Sequence, residues 1–381
     1  MAEKTSSGTL DFADGLLAVS FVMETDVRAY VAEVEGQNGF ALGRLRMGAR
    51  AQPVSWLRAT GTIEWAGEKP NVLDAFIDLW ALPWVRLSFG YGKTPLFSSA
   101  RDQAIETQTL GDLSLMVRSL WPRRDLGAEI FVTPPRVPLE AWVRGGNGSR
   151  GPLGNDNNHL ALDARLDLVL GNERFFEPPD SNWGVRFGVG THLEEAFDRA
   201  GLGGNTAAGF LFYRPPPVSG LRRVGESHLA VNYSRFRLLI EASLALENRS
   251  RDTDGNPNTP REELAAIGAW GVSTELSCVV RGDTGAFYSW RRTPLPQGFP
   301  RWKGGAVEVA ARFDRLALGL RAADVVPGGA TGGTVGVKWW PTSFFGVGAV
   351  GYLLRYDTAP LESPDRLWSW QVLARLTVRF R

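Results

Sequence analysis

The last twelve residues, "WQVLARLTVRFR" (370–381), alternate between two kinds of side chain. Counting back from Phe380, every second residue is apolar through Val378 and Leu376, while Arg379 and Arg375 are polar positions between them. A period of two places successive side chains on opposite faces of a β-strand. The segment therefore predicts a strand with one apolar face and one charged face.

The same alternation recurs along almost the whole chain, for example in "SWLRATGTIEW" (55–65) and across 158–170. Eighteen segments have this pattern, an even number, although two of them (284–291 and 315–323) are short or weak. Sixteen true strands are therefore equally compatible with the sequence. The candidate strands are 19–34, 40–50, 54–65, 71–81, 84–92, 125–132, 137–144, 158–170, 182–192, 205–214, 228–246, 264–280, 284–291, 304–313, 315–323, 331–340, 344–356 and 367–380.

The connections between these strands alternate in length. Short ones such as "AQPV" (51–54) and "TPPR" (133–136) exchange with long polar ones, among them 93–124, 247–263 and "RRTPLPQGFPRWK" (291–303). Outer-membrane barrels have short turns at one end and longer loops at the other, with strands that face lipid and lumen in turn. The loop pattern is typical of that class.

Composition excludes several other classes. The chain has 381 residues, 44% of them hydrophobic, and a net charge of +1, which is not the balance of a disordered or polyanion-binding protein. It has no apolar run long enough for a membrane-spanning helix. Cys278 is the single cysteine, so a disulfide framework is excluded.

The start, "MAEKTSSG", lacks an export signal. We expect that the numbering begins after removal of such a signal, the alternative being a cytoplasmic protein.

Aromatic residues and glycines distinguish a membrane barrel from a soluble β-protein. The chain has 14 Trp, many at strand ends where an interfacial girdle belongs, and 44 Gly, often within strands. We predict an all-β fold, a closed antiparallel transmembrane β-barrel of 16 strands with 18 not excluded, as a single domain over 1–381. The alternative is a soluble carbohydrate-binding sandwich with tryptophans as stacking platforms. The girdle candidates are Trp65, Trp80, Trp84, Trp142, Trp339, Trp340 and Trp368.

A family resemblance covers roughly residues 40–132. The segments "RLRMGAR" (44–50), "DAFIDLW" (74–80), "VRLSFGYGKTPLFSSA" (85–100) and "VRSLWPRRDLGAEIFV" (117–132) resemble the opening third of the phosphate-selective porin O and P family. The resemblance implies a sixteen-stranded barrel, usually a homotrimer, that passes small solutes and often selects phosphate. It also implies that Phe380 is the signal read by the barrel assembly machinery, although Arg381 follows it.

The polar faces of the strands would line the lumen, where basic side chains attract anions and acidic ones attract cations. Two hypotheses fit the interleaved charges: an arginine ladder that passes anions from site to site, or a mutually paired wall around a general pore. The acidic lumen candidates are Glu64, Asp74 and Asp78. The pore-lining or anion-binding candidates are Arg44, Arg46, Arg58, Arg86, Lys93, Arg118, Arg123, Arg124, Arg235 and Arg237.

Segment 93–124 is the longest insertion and contains a helix-like "LSLMVRSLW" (113–121). We expect it to fold into the lumen and narrow it, with Lys93 and Arg118 at positions that match the family motifs. Phosphate-selective members use a cluster of lysines at the constriction. This chain has only Lys4, Lys69, Lys93, Lys303 and Lys338, which favours a general porin.

Other functions have little support in the sequence. A calcium loop is suggested by oxygen donors at 252–263, but Pro257 stands where such a loop needs glycine. We expect no metal, no cofactor, no enzymatic activity and no nucleic-acid partner. The expected partners are outer-membrane lipid, lipopolysaccharide, the assembly machinery, further copies of the chain, and small solutes or anions. The remaining alternative is an envelope-anchoring barrel with a blocked lumen. The weak calcium candidates are Asp252, Asp254, Asn256, Asn258 and Glu263.

Overall fold

The computed structural model describes residues 10–12, 16–32, 35–103, 108–148, 154–155, 157–171, 183–252, 260–282, 305–342 and 344–380. Its elements are β1 (Leu10–Phe12), β2 (Leu17–Tyr30), β3 (Gly39–Val54), β4 (Leu57–Glu64), β5 (Asn71–Leu82), β6 (Val85–Lys93), α1 (Ser98–Arg101), α2 (Leu115–Leu120), β7 (Arg124–Val132), β8 (Leu139–Gly146), β9 (Ala161–Gly171), β10 (Trp183–Ala200), β11 (Gly204–Asn205), β12 (Leu211–Tyr213), β13 (Pro217–Tyr233), β14 (Phe236–Arg251), β15 (Glu262–Arg281), β16 (Ala306–Leu320), β17 (Gly328–Trp340), β18 (Phe345–Tyr356) and β19 (Trp368–Phe380).

Sixteen of these strands form one closed antiparallel barrel, in which each strand pairs with its neighbours in the chain. The last strand, β19, pairs with β2 from Gln371 opposite Tyr30 to Phe380 opposite Phe21, and this pairing closes the sheet. The predicted barrel of 16 strands is confirmed, and a sandwich of two sheets is excluded. Among the described residues no helix is both long and apolar enough to cross a membrane.

The alternation read in the sequence becomes an inside-out distribution of polarity. In β9, Leu162, Leu166 and Leu168 are exposed on the outer surface, whereas Asp163 and Arg165 on the other face are buried. A strand presents successive side chains to opposite faces, so one pattern serves both surfaces. The barrel therefore has an apolar exterior and a charged interior.

Four of the candidate segments need correction. Segment 228–246 is not one strand: Ser234 adopts a positive φ of 52° in a two-residue turn that separates β13 from β14. Segments 304–313 and 315–323 are one strand, β16, because the alternation continues through Asp314. Segment 205–214 is no barrel strand, since its residues form only the short β11–β12 pair. Candidate 284–291 lies outside the described residues.

The barrel has two unlike ends. At the end that contains the start of β2 and the end of β19, strands are joined by two residues at 55–56, 83–84 and 234–235. The longer connections of the described chain, 94–123 and 201–216, lie at the opposite end. The loop pattern grouped 291–303 with the long connections of one end of the barrel, and this grouping was wrong. The strand ends that flank it, Arg281 and Ala306, lie at the end with the short turns.

Three tryptophans assigned to an outer girdle face inward instead. Trp142 and Trp340 are buried, and Trp80 lies under the guanidinium of Arg58. Each shares the parity of a charged inward residue on its own strand, such as Asp78 for Trp80. The other four girdle candidates, Trp65, Trp84, Trp339 and Trp368, are exposed on the outer surface.

Candidate functional site

The barrel interior contains two adjoining cavities on the side of the early strands. The larger, of about 570 Å³, is lined by β2 to β5 and is called here the β2–β5 cavity. The smaller, of about 350 Å³, is lined by β4 to β8 and is called the β4–β8 cavity. Both are lined by Thr60, Asp74, Lys93, Arg101 and Asp102, so they meet at this point.

Among the described residues, basic side chains outnumber acidic ones around these two adjoining cavities. Acidic lining residues partly offset the basic ones, which leaves an excess of positive charge that attracts anions. The acidic lining residues are Asp74, Asp78, Asp102 and Glu129. The basic lining residues are Arg46, Arg50, Arg58, Arg86, Lys93, Arg101, Arg124 and Arg144.

Several of these charges form ion pairs along the wall. Arg46 Nε donates to Glu64 Oε2 at 2.6 Å, and Arg58 Nε donates to Asp78 Oδ2 at 3.0 Å. Arg124 Nε donates to Asp74 Oδ1 at 3.1 Å. All three predicted acidic residues thus stand beside a predicted basic one. Arg50 differs, because it is exposed and has no ion pair within the described part of the chain.

The segment between β6 and β7 contacts side chains from β3, β18 and β19. Arg44 Nη2 and Arg375 Nη1 both donate to the Gly111 carbonyl, at 3.1 and 3.0 Å. Gly111 has a φ of +71°, and a Cβ there would lie 2.8 Å from Arg375 Nη1. Glycine thus permits both the turn and the close approach of the arginine. Tyr352 Oη fixes the neighbouring turn by donating to the Leu110 carbonyl at 2.9 Å.

Helix α2 fills the opposite side of the interior. Its N-cap Ser114 accepts a hydrogen bond from Val117 N at 3.1 Å, which satisfies one free amide of the first turn. Gly271 on β15 makes room for Met116, since a Cβ there would lie 2.7 Å from Met116 Cγ. The helix and the segment 201–216 share one buried apolar cluster, which includes Leu115, Met116, Val117, Leu120, Leu202, Phe210, Phe212 and Tyr213.

Arg118 projects from α2 towards the segment 201–216 rather than into the cavities. Its Nη1 donates to the Thr206 carbonyl at 2.6 Å, and its Nη2 lies 3.5 Å from Asp112 Oδ1. Burial lowers the pKa of this guanidinium from its usual value. Arg118 therefore anchors two interior segments to each other.

The ten predicted basic residues occupy several environments. Five of them, Arg46, Arg58, Arg86, Lys93 and Arg124, line the two cavities. Of the others besides Arg118, Arg44 borders a separate space of about 150 Å³, and Arg123 is exposed next to α2. Arg235 lies in the turn between β13 and β14. Arg237 is buried, with its Nη2 3.6 Å from Glu308 Oε1. The placement of Arg235 on an inward strand face was wrong, because the turn at 234–235 interrupts that strand.

Two cavity residues were missed although a signal was present. Arg144 and Trp142 have the same parity on β8 as the buried Glu140, so all three share one face. Trp142 was assigned to the outer girdle because of its residue type. Parity is the better guide here, since it follows from strand geometry.

The remaining candidates are placed as follows. Residues 254, 256 and 258 of the calcium hypothesis lie outside the described residues, and Asp252 and Glu263 are exposed. Within the described part of the chain no group of three metal-ligating side chains is present. Phe380 pairs with Phe21 at the end of β19.

Comparison with solved structures shows the fold that this barrel shares. An anion-selective porin from Comamonas acidovorans is 11% identical over 96% of this chain and 99% of its own, with a TM-score of 0.58. The outer membrane channel DcaP of Acinetobacter baumannii is 10% identical over 97% and 99%, with a TM-score of 0.56. OmpT, an outer membrane protein of Vibrio cholerae, is 14% identical over 97% and 99%, with a TM-score of 0.54. No family model and no curated protein sequence matches the chain.

Proposed function

We propose that this protein is an outer-membrane porin, a passive channel for small hydrophilic solutes that favours anions. The observation that carries the proposal is the excess of basic over acidic side chains around the two adjoining cavities. Passive channels select by the charge and width of their lining, so such a wall needs no energy source or moving carrier. The solved barrels of similar fold, which include an anion-selective porin, support this function.

The segment 93–124 acts in this proposal as the constriction. Lys93 Nζ donates to the Ala100 carbonyl at 2.6 Å and to the Gln103 carbonyl at 3.2 Å, which ties the start of the segment to the wall. Arg101 then extends to Glu129 Oε1 at 2.6 Å. These contacts hold a basic residue where the two cavities meet.

Selectivity for phosphate, as in the porin O and P family, is the narrower form of the proposal and has weaker support. Among the described residues, Lys93 is the one lysine that lines the two cavities, so arginines would have to take the place of a lysine cluster. Many cavity arginines are also paired with carboxylates, which lowers their attraction for a dianion. We therefore favour a general channel biased towards anions.

The setting of the barrel follows from its apolar exterior. We propose insertion in the outer membrane of a Gram-negative bacterium, among outer-membrane lipid and lipopolysaccharide, with Phe380 as the signal for the barrel assembly machinery. Closure of the sheet leaves no strand edge unpaired in hydrocarbon. A homotrimer is supported by the trimer form recorded for OmpT of Vibrio cholerae.

Planar-bilayer recording of the refolded protein tests the channel. In a gradient of potassium chloride we expect steady single-channel steps. The reversal potential should lie closer to the equilibrium potential of chloride than to that of potassium. Added phosphate should reduce the current only if phosphate selectivity is correct. A cation-selective reversal potential would contradict the anion bias.

The second candidate is a structural barrel that anchors envelope components. It is favoured by the apolar cluster that fills one side of the interior. An absence of conductance from correctly folded, heat-modifiable protein would support it and exclude the channel.

A further inference from the structure

Aromatic side chains form a row along the inner wall from β5 to β8, and two of them, Phe131 and Trp142, line the β4–β8 cavity. Trp80 on β5 lies opposite Arg86 on β6, Arg86 opposite Phe131 on β7, and Phe131 opposite Trp142 on β8. The rings of Phe131 and Trp142 stack with their centroids 4.7 Å apart. Residues that are paired across neighbouring strands lie side by side, at the same height in the barrel wall. The cavity thus has an aromatic belt beside its basic residues.

Guanidinium groups lie over rings of this belt. The Cζ of Arg58 is 4.7 Å from the ring centre of Trp80, and the Cζ of Arg86 is 5.0 Å from that of Phe131. A cation over an aromatic face is attracted by the ring quadrupole, which holds each guanidinium beside its ring.

Arg144 has a free donor for a negatively charged group. It is only 4% exposed, yet its hydrogen bonds within the described chain go to the backbone carbonyls of Gly90 and Asp125, and it forms no ion pair there. The Nε atoms of Arg144 and Arg86 are both buried without a protein hydrogen-bond partner. Glu129, directly opposite on β7, offsets part of the charge of Arg144, but the buried Nε donor has no protein partner within the described chain. A buried donor left without a partner is costly, and a bound anion would offset that cost.

The charge of the cavity indicates how many charges that anion has. Among the described residues, five basic side chains line it, and so do the carboxylates of Asp74, Asp78, Asp102 and Glu129. The excess is therefore a single positive charge, which matches a monoanion. A dianion such as phosphate would meet the nearby carboxylates. The half-buried ring of Phe76 also faces this space, where it can contact an apolar body.

We propose that the β4–β8 cavity is a binding subsite for monoanionic aromatic carboxylates that pass through the channel. The carboxylate binds at Arg144 and Arg86, and the ring stacks beside the aromatic belt and Phe76. A volume of about 350 Å³ lies within the range of small-molecule sites. This inference rests on the proposed channel for its biological meaning, and its test can fail independently of the channel.

The test compares benzoate, acetate and phosphate as blockers of the single-channel current. We expect benzoate to half-block the current at a concentration about five-fold lower than acetate, because one aromatic contact has that effect on affinity. Phosphate should block less than benzoate. Equal block by benzoate and acetate, or stronger block by phosphate, would overturn the subsite while leaving the channel intact.

Two variants and their matched controls place the block in this cavity. Phe76→Leu should weaken the block by benzoate but not that by acetate, and Phe187→Leu, on the outer surface, should change neither. Arg144→Gln should raise the half-blocking concentration of benzoate about ten-fold, since a charge-assisted hydrogen bond is lost. Arg235→Gln removes one charge at the turn and should leave the block unchanged. Unchanged block in both cavity variants contradicts the assignment.

Titration calorimetry of benzoate into the detergent-solubilised protein gives a readout that does not need conductance. Heat of binding that is lost in Arg144→Gln would support the subsite even in a barrel that conducts no current. Absence of such heat in the unaltered protein would overturn it.

Discussion

The two sides of the barrel interior are built from the same strand pattern but covered differently. Along β3 to β8 many inward side chains border open space, and charged residues, several of them in ion pairs, are prominent among them. Along β13 to β18, inward apolar residues such as Val224, Ala269 and Leu316 pack with α2 and the segment 201–216 in a buried apolar cluster. We call these the open side and the filled side. The difference indicates that loops, and not the strands alone, decide where a solute can pass.

Removing the filling of the interior should have the largest effect. Replacement of residues 110–120 by a short flexible linker removes α2 and the contacts of Gly111 with Arg44 and Arg375. We expect a larger single-channel conductance, because water replaces the apolar cluster. Unchanged conductance would show that the filled side never limits the current.

Single substitutions should separate the two sides by stability. Leu120 is fully buried in the apolar cluster, so Leu120→Ala should lower the free energy of unfolding by about 2–5 kcal/mol. Thr60→Ala on the open side should change it by about 0.5 kcal/mol or less. Denaturant titration in detergent micelles measures both. Leu361→Ala, at an exposed leucine, is the control, and equal losses in all three variants would contradict the comparison.

Charge removal should separate the sides by selectivity. Arg50 is exposed to the β2–β5 cavity, whereas Arg118 is held between interior segments. We expect Arg50→Gln to shift the reversal potential towards cations and Arg118→Gln to leave it nearly unchanged. Reversal potentials in a potassium chloride gradient measure the shift. A larger shift in Arg118→Gln would place the solute path on the filled side.

A small pH effect is expected from Glu35, which contacts Ser369 and Tyr356 near the apolar cluster. Burial raises the pKa of this carboxyl, so the folded barrel favours its protonated form and loses stability as pH rises through that raised pKa. Glu35→Gln should therefore stabilise the protein by about 1 kcal/mol or less at about pH 8 and have no effect at about pH 4. Thermal unfolding at the two pH values measures this difference. Stabilisation only at the lower pH would contradict the assigned direction.

The sequence predicted the barrel because strand periodicity is local and repeats many times. Even so, the turn at Ser234 was missed, since a turn of two residues hardly disturbs the alternation. The continuity of β16 through Asp314 was missed as well. The predicted cavity residues Arg46, Arg58 and Arg86 follow from parity alone. Arg118 and Arg237 could not be assigned in this way, because their surroundings depend on how 94–123 and 201–216 fold across the interior. That folding depends on long-range packing, such as Met116 against Gly271.

The central claim is that solutes pass along the open side of the interior and not along the filled side. Access of a charged thiol reagent tests this claim most directly. Cys278 on β15 is first replaced by serine, and one new cysteine is then introduced on each side, as Thr60→Cys on the open side and Ala245→Cys on the filled side. We predict that a negatively charged methanethiosulfonate reagent reduces the current stepwise through Thr60→Cys and leaves Ala245→Cys unchanged. Rapid block through Ala245→Cys without any effect at Thr60→Cys would contradict the account.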